Sequence, residues 1–354
     1  MLEAMLAGGA SMTMPIVATG QTSLVVHDTE SGADISPASQ ASLGKLCYVG
    51  FSSNGEWLAA GWDSGYLYIY QIVDRQCVLF NSFRPAQLPI VNVVFSPNCS
   101  YFCVVYSDGT DNYSNAAVLY SLADGSKIYT WPGYDNRGCA AFSLDEQYLY
   151  VTRGQNGLNT LGKVRISDQY VGNIYTDPAY SDSRIEALFC HPVTGNIIFK
   201  SNYSGDRNYK VFEHNTSFSP TIRTTAVSLP AIRNMDPGGF VGFPIDGDYC
   251  LYSAYGLHSF LSWDGSVGSD PVVPPIISGN AALAALHNPG DYSVTLLGSE
   301  GYTLYSPGGY LLVYVDGRNQ GPHPLFQYAS LPAATVDAGR YSTSYRAAAI
   351  RPEV

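Results

Sequence analysis

The chain has 354 residues, a formal net charge of −11 and only 13% charged residues against 46% hydrophobic ones. Disorder requires low hydrophobicity and high charge, so this composition excludes a disordered chain and favours an ordered all-β protein rich in Tyr and Gly. The sequence has no clustered Lys and Arg for phosphate binding and no apolar run near 18 residues, so neither nucleic acid nor membrane is predicted as a partner.

Residues 1–11 are predicted to be a short N-terminal tether, either helical or extended. Met1, Leu2, Met5 and Leu6 fall on one side of a helical turn that stops at a Gly-Gly pair. A helix this short is not stable alone, so we expect it to dock on another surface. These four side chains are therefore candidate partner-binding residues.

From residue 12 onward one pattern recurs: an apolar run, a Phe, a Ser or Pro, a turn and a second apolar run. The positions equivalent to this Phe are Phe51, Phe95, Phe142, Cys190, Phe243, Leu286 and Ile350. They are spaced by 44, 47, 48, 53, 43 and 64 residues. Repeats of about 40–50 residues with four strands each indicate the blades of a β-propeller.

The unit over residues 46–83 is the clearest copy. Its predicted strands are LCYVGF, EWLAAGW, YLYIYQIV and CVLFNSF, with a turn at Gly55 and a hairpin at 63–65. The next two units repeat this order, with inserted loops predicted at 108–115 and 153–162. The first strand of each unit is small and apolar, as expected of a strand crowded around a central channel.

The two ends of the chain read as halves of one unit. YRAAAIRPEV opens a seventh copy, and MPIVATGQTSLVVHDTESG supplies its remainder, so 347–350 is predicted to pair with 16–19. The predicted fold is an all-β, seven-bladed β-propeller over 12–354, closed by pairing of the N- and C-terminal segments in one blade. The predicted blades are 12–43 with 341–354, then 44–88, 89–135, 136–182, 183–230, 231–279 and 280–340.

The blade period, the Phe-Ser-Pro turn and the split first blade resemble a WD40-type propeller over about residues 12–354. The chain departs from the WD40 signature because no Gly-His pair precedes the blades. Its two Trp-Asp pairs, at 62–63 and 263–264, lie at hairpin turns instead of ending a third strand. The resemblance implies a fold, and a fold does not imply a function.

The sequence predicts no catalytic residue, no cofactor and no metal site. His27 and Asp28 end a strand without a nucleophile motif nearby. His191 and His287 occupy similar turns in two units, but two His are too few for a metal site, so they are expected to hydrogen-bond their turns. The seven Cys are expected to be reduced, mostly buried thiols that pack as small hydrophobic side chains.

The favoured function is a non-enzymatic platform for protein–protein interaction, most concretely a structural component of a bacteriophage virion or tail. Its partners would be other proteins of that assembly, and its location the virion, assembled in the host cytoplasm, or otherwise the cytoplasm. The prediction depends on a Lys-poor, Tyr-rich, weakly charged composition that resembles phage structural proteins, and on a start that lacks a basic signal-peptide region. Candidate contacts are the tether, the two inserted loops, Tyr328 and segment 317–340.

Two alternatives belong to other functional classes. The first is a propeller that binds glycans or a host surface through loop tyrosines such as Tyr113 and Tyr203, since aromatic rings stack on sugars. The second is a propeller hydrolase or lyase with carboxylates at the channel mouth. Its acidic turn residues occur as Asp-Gly, Asp-Asn and Gly-Asp pairs, which hairpins also require.

Overall fold

The fold was analysed in a computed structural model. It describes residues 16–20, 22–28, 31–38, 43–84, 86–106, 116–132, 139–155, 158–176, 185–201, 209–225, 240–242, 249–254, 257–262, 265–270, 295–298, 301–305, 310–314, 325–327 and 347–350. Within these ranges the regular structure consists of 27 β-strands in seven antiparallel sheets.

The first three sheets occupy the N-terminal part of the chain. The first sheet contains β1 (Ile16–Gly20), β2 (Leu24–Asp28) and β3 (Ala33–Asp34). The second contains β4 (Leu46–Phe51), β5 (Trp57–Trp62), β6 (Leu67–Val73) and β7 (Gln76–Phe83). The third contains β8 (Ile90–Phe95), β9 (Tyr101–Tyr106), β10 (Ala116–Ser121) and β11 (Lys127–Pro132).

The remaining sheets follow in chain order. The fourth contains β12 (Ala140–Phe142), β13 (Tyr148–Gln155), β14 (Leu158–Arg165) and β15 (Val171–Thr176). The fifth contains β16 (Ile185–Cys190), β17 (Ile197–Ser201), β18 (Tyr209–Phe212) and β19 (Arg223–Thr224). The sixth contains β20 (Phe240–Gly242), β21 (Tyr249–Ala254) and β22 (Leu257–Ser262). The seventh contains β23 (Thr295–Gly298), β24 (Gly301–Tyr305), β25 (Tyr310–Tyr314) and β26 (Leu325–Gln327).

The last described strand, β27 (Ala347–Ile350), joins the first sheet. It pairs antiparallel with β1, and Ala18 lies opposite Ala349. Successive sheets are also in contact through β27 and β4, β4 and β8, β8 and β12, β12 and β16, β16 and β20, β21 and β23, and finally β24 and β27. The prediction of an all-β fold with repeated four-stranded antiparallel sheets is confirmed.

The sheets are held together by apolar clusters that lie between neighbours. On β5, Leu58 and Ala60 belong to the cluster shared with the first sheet, whereas Ala59 belongs to the cluster shared with the third. Because side chains alternate along a strand, a sheet that is apolar at consecutive positions buries both of its faces. Similar clusters lie between the third and fourth sheets and between the fourth and fifth.

The turn after the first strand of a sheet is built on a buried serine. Ser52, Ser96 and Ser143 are each at most 1% exposed. Each hydroxyl oxygen accepts a hydrogen bond from the backbone N–H five residues later, at 2.9–3.0 Å. In the fifth sheet His191 takes this place, and its Nδ1 accepts from the N–H groups of Val193 and Thr194. The turn hydrogen bonding predicted for His191 is therefore confirmed, and His287 lies outside the described residues.

The same turns require a left-handed backbone at one position. That residue is Gly55 in the second sheet and Gly195 in the fifth, where glycine adopts the conformation without steric cost. In the third and fourth sheets Cys99 and Glu146 have φ of 57° and 55°. Cys99 and Glu146 keep this unfavourable backbone conformation because the hydrogen bonds of the buried serine fix the turn around them.

The structure corrects two expectations from the sequence. The segment 153–162 is not an inserted loop, because β13 and β14 pair through it as far as Gln155 opposite Leu158. Within the candidate contact segment 317–340, the described residues are the outer strand β26 of the seventh sheet. Cys47 is exposed, although it lies in an apolar run.

In the part of the chain that the structure describes, no helix has the length and hydropathy needed to cross a membrane.

Changing Ser143 to Ala tests the turn. We expect the free energy of unfolding to fall by about 1–3 kcal/mol, because the buried N–H of Tyr148 loses its acceptor. Urea titration of the purified chain measures the loss. The control is Ser167→Ala at an exposed position of the same sheet, expected to change stability by less than about 0.5 kcal/mol. Equal effects of the two changes would contradict this role of the hydroxyl.

Candidate functional site

The candidate contact residues inferred from the sequence lie outside the described residues. These are Met1, Leu2, Met5, Leu6, Tyr113, Tyr203 and Tyr328. The described residues contain two main candidate sites. The first is the outer strand of the second sheet, and the second is a polar cluster between the fourth and fifth sheets.

The outer strand β7 is unusual among the strands at the far edge of each sheet. It has eight residues, whereas β3 and β19 have two each and β26 has three. Its sequence, QCVLFNSF, carries no charge and no proline. β11, of six residues, contains Lys127 and Pro132, which are typical protections of a sheet edge. The outer strand β15, also of six residues, lacks both but exposes no large apolar side chain. β7 is therefore a long sheet edge without those protections.

Apolar side chains at one end of β7 are exposed to solvent. Val78 and Leu79 are 51% and 50% exposed, and Val73, just before the hairpin, is 42% exposed. Leu79 lies opposite Tyr70, whose side chain is buried against the first sheet. The outer strand of that first sheet, β3, is only two residues long in the described part of the chain. The other end of β7 is covered, since Phe80 and Phe83 pack on the third sheet.

The β6–β7 hairpin is fixed to the first sheet by an ion pair. The guanidinium of Arg75 donates to both carboxylate oxygens of Asp28, with Nε to Oδ2 at 2.9 Å. Asp28 is only 4% exposed, and this two-point geometry orients the guanidinium. Asp28, of the His27-Asp28 pair noted in the sequence, thus makes a structural contact with Arg75. The exposed end of β7 is consequently held on a rigid support.

Lys163, the centre of the second place, is a buried cation. It lies on β14 with 1% exposure, and its Nζ donates to the carbonyl oxygens of Asn215 and Ser217, the latter at 2.9 Å. The ammonium also lies 4.1 Å from the ring centre of Tyr148 and 5.2 Å from that of Phe218. Carbonyl oxygens and aromatic faces both stabilise a cation. Burial nevertheless lowers the pKa of Lys163 to about 8.

A hydrogen-bonded chain runs beside this lysine. The Tyr150 hydroxyl and His214 Nδ1 are 2.7 Å apart, and His214 Nε2 is 3.3 Å from a carboxylate oxygen of Asp145. Hydrogen bonds from Ser143, Gln147 and His214 lower the pKa of Asp145 despite its partial burial, and burial raises the pKa of Tyr150. The chain joins a turn of the fourth sheet to the segment that follows β18 in the fifth.

These polar groups act on one another across a sheet interface. Both carbonyl groups that bind Lys163 belong to the connection between β18 and β19, so the lysine fastens that connection to the fourth sheet.

The thiols of Cys77 and Cys190 have pKa values raised to about 12 by burial, which keeps them protonated and weakly nucleophilic. Among the described residues, no group of three or more His, Cys, Asp or Glu side chains could hold a metal ion.

A shallow groove of about 330 Å³ lies between the third and fourth sheets. It is lined by Tyr101, Ile128, Glu146, Gln147, Ile166 and Ser167. Its carboxylate, on Glu146, accepts a hydrogen bond from the backbone N–H of Asn98 at 2.6 Å. Glu146 therefore links the turns of two neighbouring sheets.

The sequence contains only weak signals for these places. Lys163 is one of five lysines in the chain and lies between Gly162 and Val164 on a strand that also contains Asn159, Thr160 and Arg165, so the sequence does not single it out as buried. β7 was correctly predicted as a strand. The exposure of Val78 and Leu79 depends on packing between sheets, which local sequence does not reveal.

No protein-family model matches the chain, and no curated protein sequence matches it. Solved structures are similar in fold. A functionally unknown protein from Desulfotomaculum acetoxidans DSM 771 gives a TM-score of 0.61 at 12% identity, covering 96% of this chain and 99% of that one. A chain of the mitotic checkpoint complex gives 0.57 at 14% identity, covering 86% and 84%.

The β-propeller domain of Cps50 (Swd1) from Myceliophteria thermophila gives a TM-score of 0.55 at 10% identity, covering 84% of this chain and 87% of that one. At these identities the similarity concerns the fold alone. Together with the repeated four-stranded sheets, it shows an all-β, propeller-like architecture.

Changing Lys163 to Met tests the buried cation. We expect the free energy of unfolding at pH 7 to fall by about 1–3 kcal/mol, because two carbonyl groups lose their charged donor while the apolar stem is kept. Lys127→Met, at an exposed position, is the control and should be nearly neutral. Denaturant titration that finds both variants as stable as the parent would refute the assigned role.

The lowered pKa of Lys163 also predicts a pH dependence. Its folded-state pKa is about 8 and its ordinary value is 10.5, so between these values the unfolded chain binds more protons. Stability contributed by this group therefore rises with pH across that window. The difference in unfolding free energy between the parent and Lys163→Met should shift in favour of the parent from pH 8 to 10.5. A difference that stays constant over this range would contradict the assignment.

Proposed function

We propose that this chain is a seven-bladed β-propeller that serves as a non-enzymatic platform for protein–protein interaction. Closure into one ring is supported by the pairing of β1 with β27 and by the contact of each sheet with the next, including β24 with β27. Because the sheets bury both faces, an open array would expose an apolar face at each end. A closed ring leaves outer strands and turns as its surface.

The observation that carries the interaction role is the exposed edge of β7. An outer strand offers unpaired backbone N–H and C=O groups, and here apolar side chains accompany them. Val78 and Leu79 stand half-exposed on a hairpin that Arg75 anchors to Asp28. A fixed apolar edge can bind an extended partner strand without first becoming ordered, which lowers the entropic cost of binding.

The finer form of the proposal is a structural component of a large assembly, specifically a bacteriophage virion or tail. Its support is compositional: five lysines against 28 tyrosines in a weakly charged β-protein. Interface cores are depleted in charged residues and enriched in Tyr, so a surface largely covered by partners would have such a composition. For this form of the proposal, we expect mass spectrometry of particles purified from the source to find the chain at a fixed stoichiometry.

The interaction role is tested by a β7 variant. Val78→Lys with Leu79→Lys places two charges on the edge and should abolish retention of partners by the tagged chain in its source cell, measured by quantitative cross-linking mass spectrometry. The control is Val193→Lys, because Val193 is 61% exposed but lies in a turn of the fifth sheet. Equal retention by all three chains, or retention by none including the parent, would contradict the proposal.

A further inference from the structure

We propose that β7 is an edge for self-association, on which a second copy of this chain adds its own β7 antiparallel to the first. This inference rests on the proposed interaction role, since it names the partner of the same surface. Antiparallel pairing of one strand with its own copy produces a twofold, isologous interface, the commonest symmetry of soluble oligomers. Two four-stranded sheets would then become one continuous eight-stranded sheet.

The strand itself favours pairing over protection. Natural sheet edges carry Lys, Pro or very short strands, and β7 has none of these features. One irregularity is present, because the pairing with β6 shifts between Ile69 and Tyr70 and leaves Phe80 as an extra residue. The straight part of the edge is therefore Gln76–Leu79, and it holds the two exposed apolar side chains of the strand.

The charges beside β7 identify a second copy as the occupant. Asp74 lies two residues before the strand, and Arg75 between them is paired with Asp28. Arg84 lies just after the strand, 4.7 Å from the ring centre of Tyr66, and both Asp74 and Arg84 are exposed. Leu79 is midway between Asp74 and Arg84 in the sequence. A twofold axis at Leu79 therefore places Asp74 of each copy near Arg84 of the other copy. A parallel arrangement would bring like charges together instead. β7 is thus complementary to itself in one orientation, although the chain as a whole carries a net charge of −11.

The exposed surface is consistent with the same arrangement. Val78 and Leu79 point to opposite faces of the sheet because side chains alternate along a strand. Pairing across the twofold axis would cover apolar surface on both faces at once. With the axis at Leu79, Gln76–Val78 of one copy would face Phe80–Ser82 of the other, so the backbone groups on either side of the irregularity at Phe80 would gain partners in the same step.

The test uses the purified full chain and sedimentation velocity over a range of concentrations. The parent, with a chain mass of 38.2 kDa, should show a concentration-dependent dimer. Asp74→Arg alone and Arg84→Asp alone should each raise the dimer dissociation constant about tenfold, since each places like charges opposite one another. The double variant Asp74→Arg with Arg84→Asp should restore the parent value. Leu79→Lys should prevent the dimer, whereas Val193→Lys should leave it unchanged.

Three outcomes would overturn the inference. The first is a parent that remains monomeric at about 100 μM, a concentration at which a weak specific dimer would already form. The second is a dimer that Leu79→Lys leaves intact. The third is a pair of single charge changes that the double variant fails to compensate. Circular dichroism of each variant confirms that it is folded, so loss of the dimer is not loss of structure. A monomeric parent that still retains cellular partners through β7 overturns only the second-copy inference and leaves the interaction role in place.

Discussion

The apolar clusters between neighbouring sheets are the interaction on which the structure depends. A fully buried leucine such as Leu58 contributes about 2 kcal/mol, whereas one intramolecular hydrogen bond contributes about 1 kcal/mol net. The twelve buried side chains between the first and second sheets therefore add up to a large contribution at one sheet interface. The second, third and fourth sheets each pack on apolar clusters at both faces, so none of them is stable alone. A neighbour on either side of every sheet is the physical reason for the closed ring proposed above.

Polar groups set the positions of the sheets that apolar packing brings together. The buried hydroxyls of Ser96 and Ser143 fix their turns, and Glu146 then reaches the backbone of Asn98 in the adjacent turn. Between the fourth and fifth sheets the ammonium group of Lys163 lies beside the apolar cluster and holds the β18–β19 connection in place. Apolar contacts are not directional, so these hydrogen bonds fix the position of each sheet relative to its neighbour. The partner surface proposed above is the outer edge of β7, where Val78 and Leu79 are half-exposed.

Local sequence predicted much of the fold because strand alternation and turn residues are local properties. The four strands of the second sheet, the turn at Gly55 and the all-β class follow from such patterns. The hairpin at 153–162 was wrongly predicted as a loop, although its Asn-Gly pair is a strong hairpin signal. The places of interest could not be predicted in the same way. The exposure of Leu79 depends on how neighbouring sheets pack, and the burial of Lys163 depends on a segment about 50 residues later.

The proposed closure of the ring is tested most directly by a disulfide between its two ends. Ala18 and Ala349 are directly opposite partners on β1 and β27, a geometry in which paired cysteines can form a disulfide. Oxidation of the Ala18→Cys, Ala349→Cys variant should give an intramolecular cross-link, identified by mass spectrometry of the linked peptides. The pair Ala18→Cys, Ala348→Cys, in which Ala348 lies opposite Thr19, should link far less. No cross-link in the first variant, or equal cross-linking in both, would contradict closure through these strands.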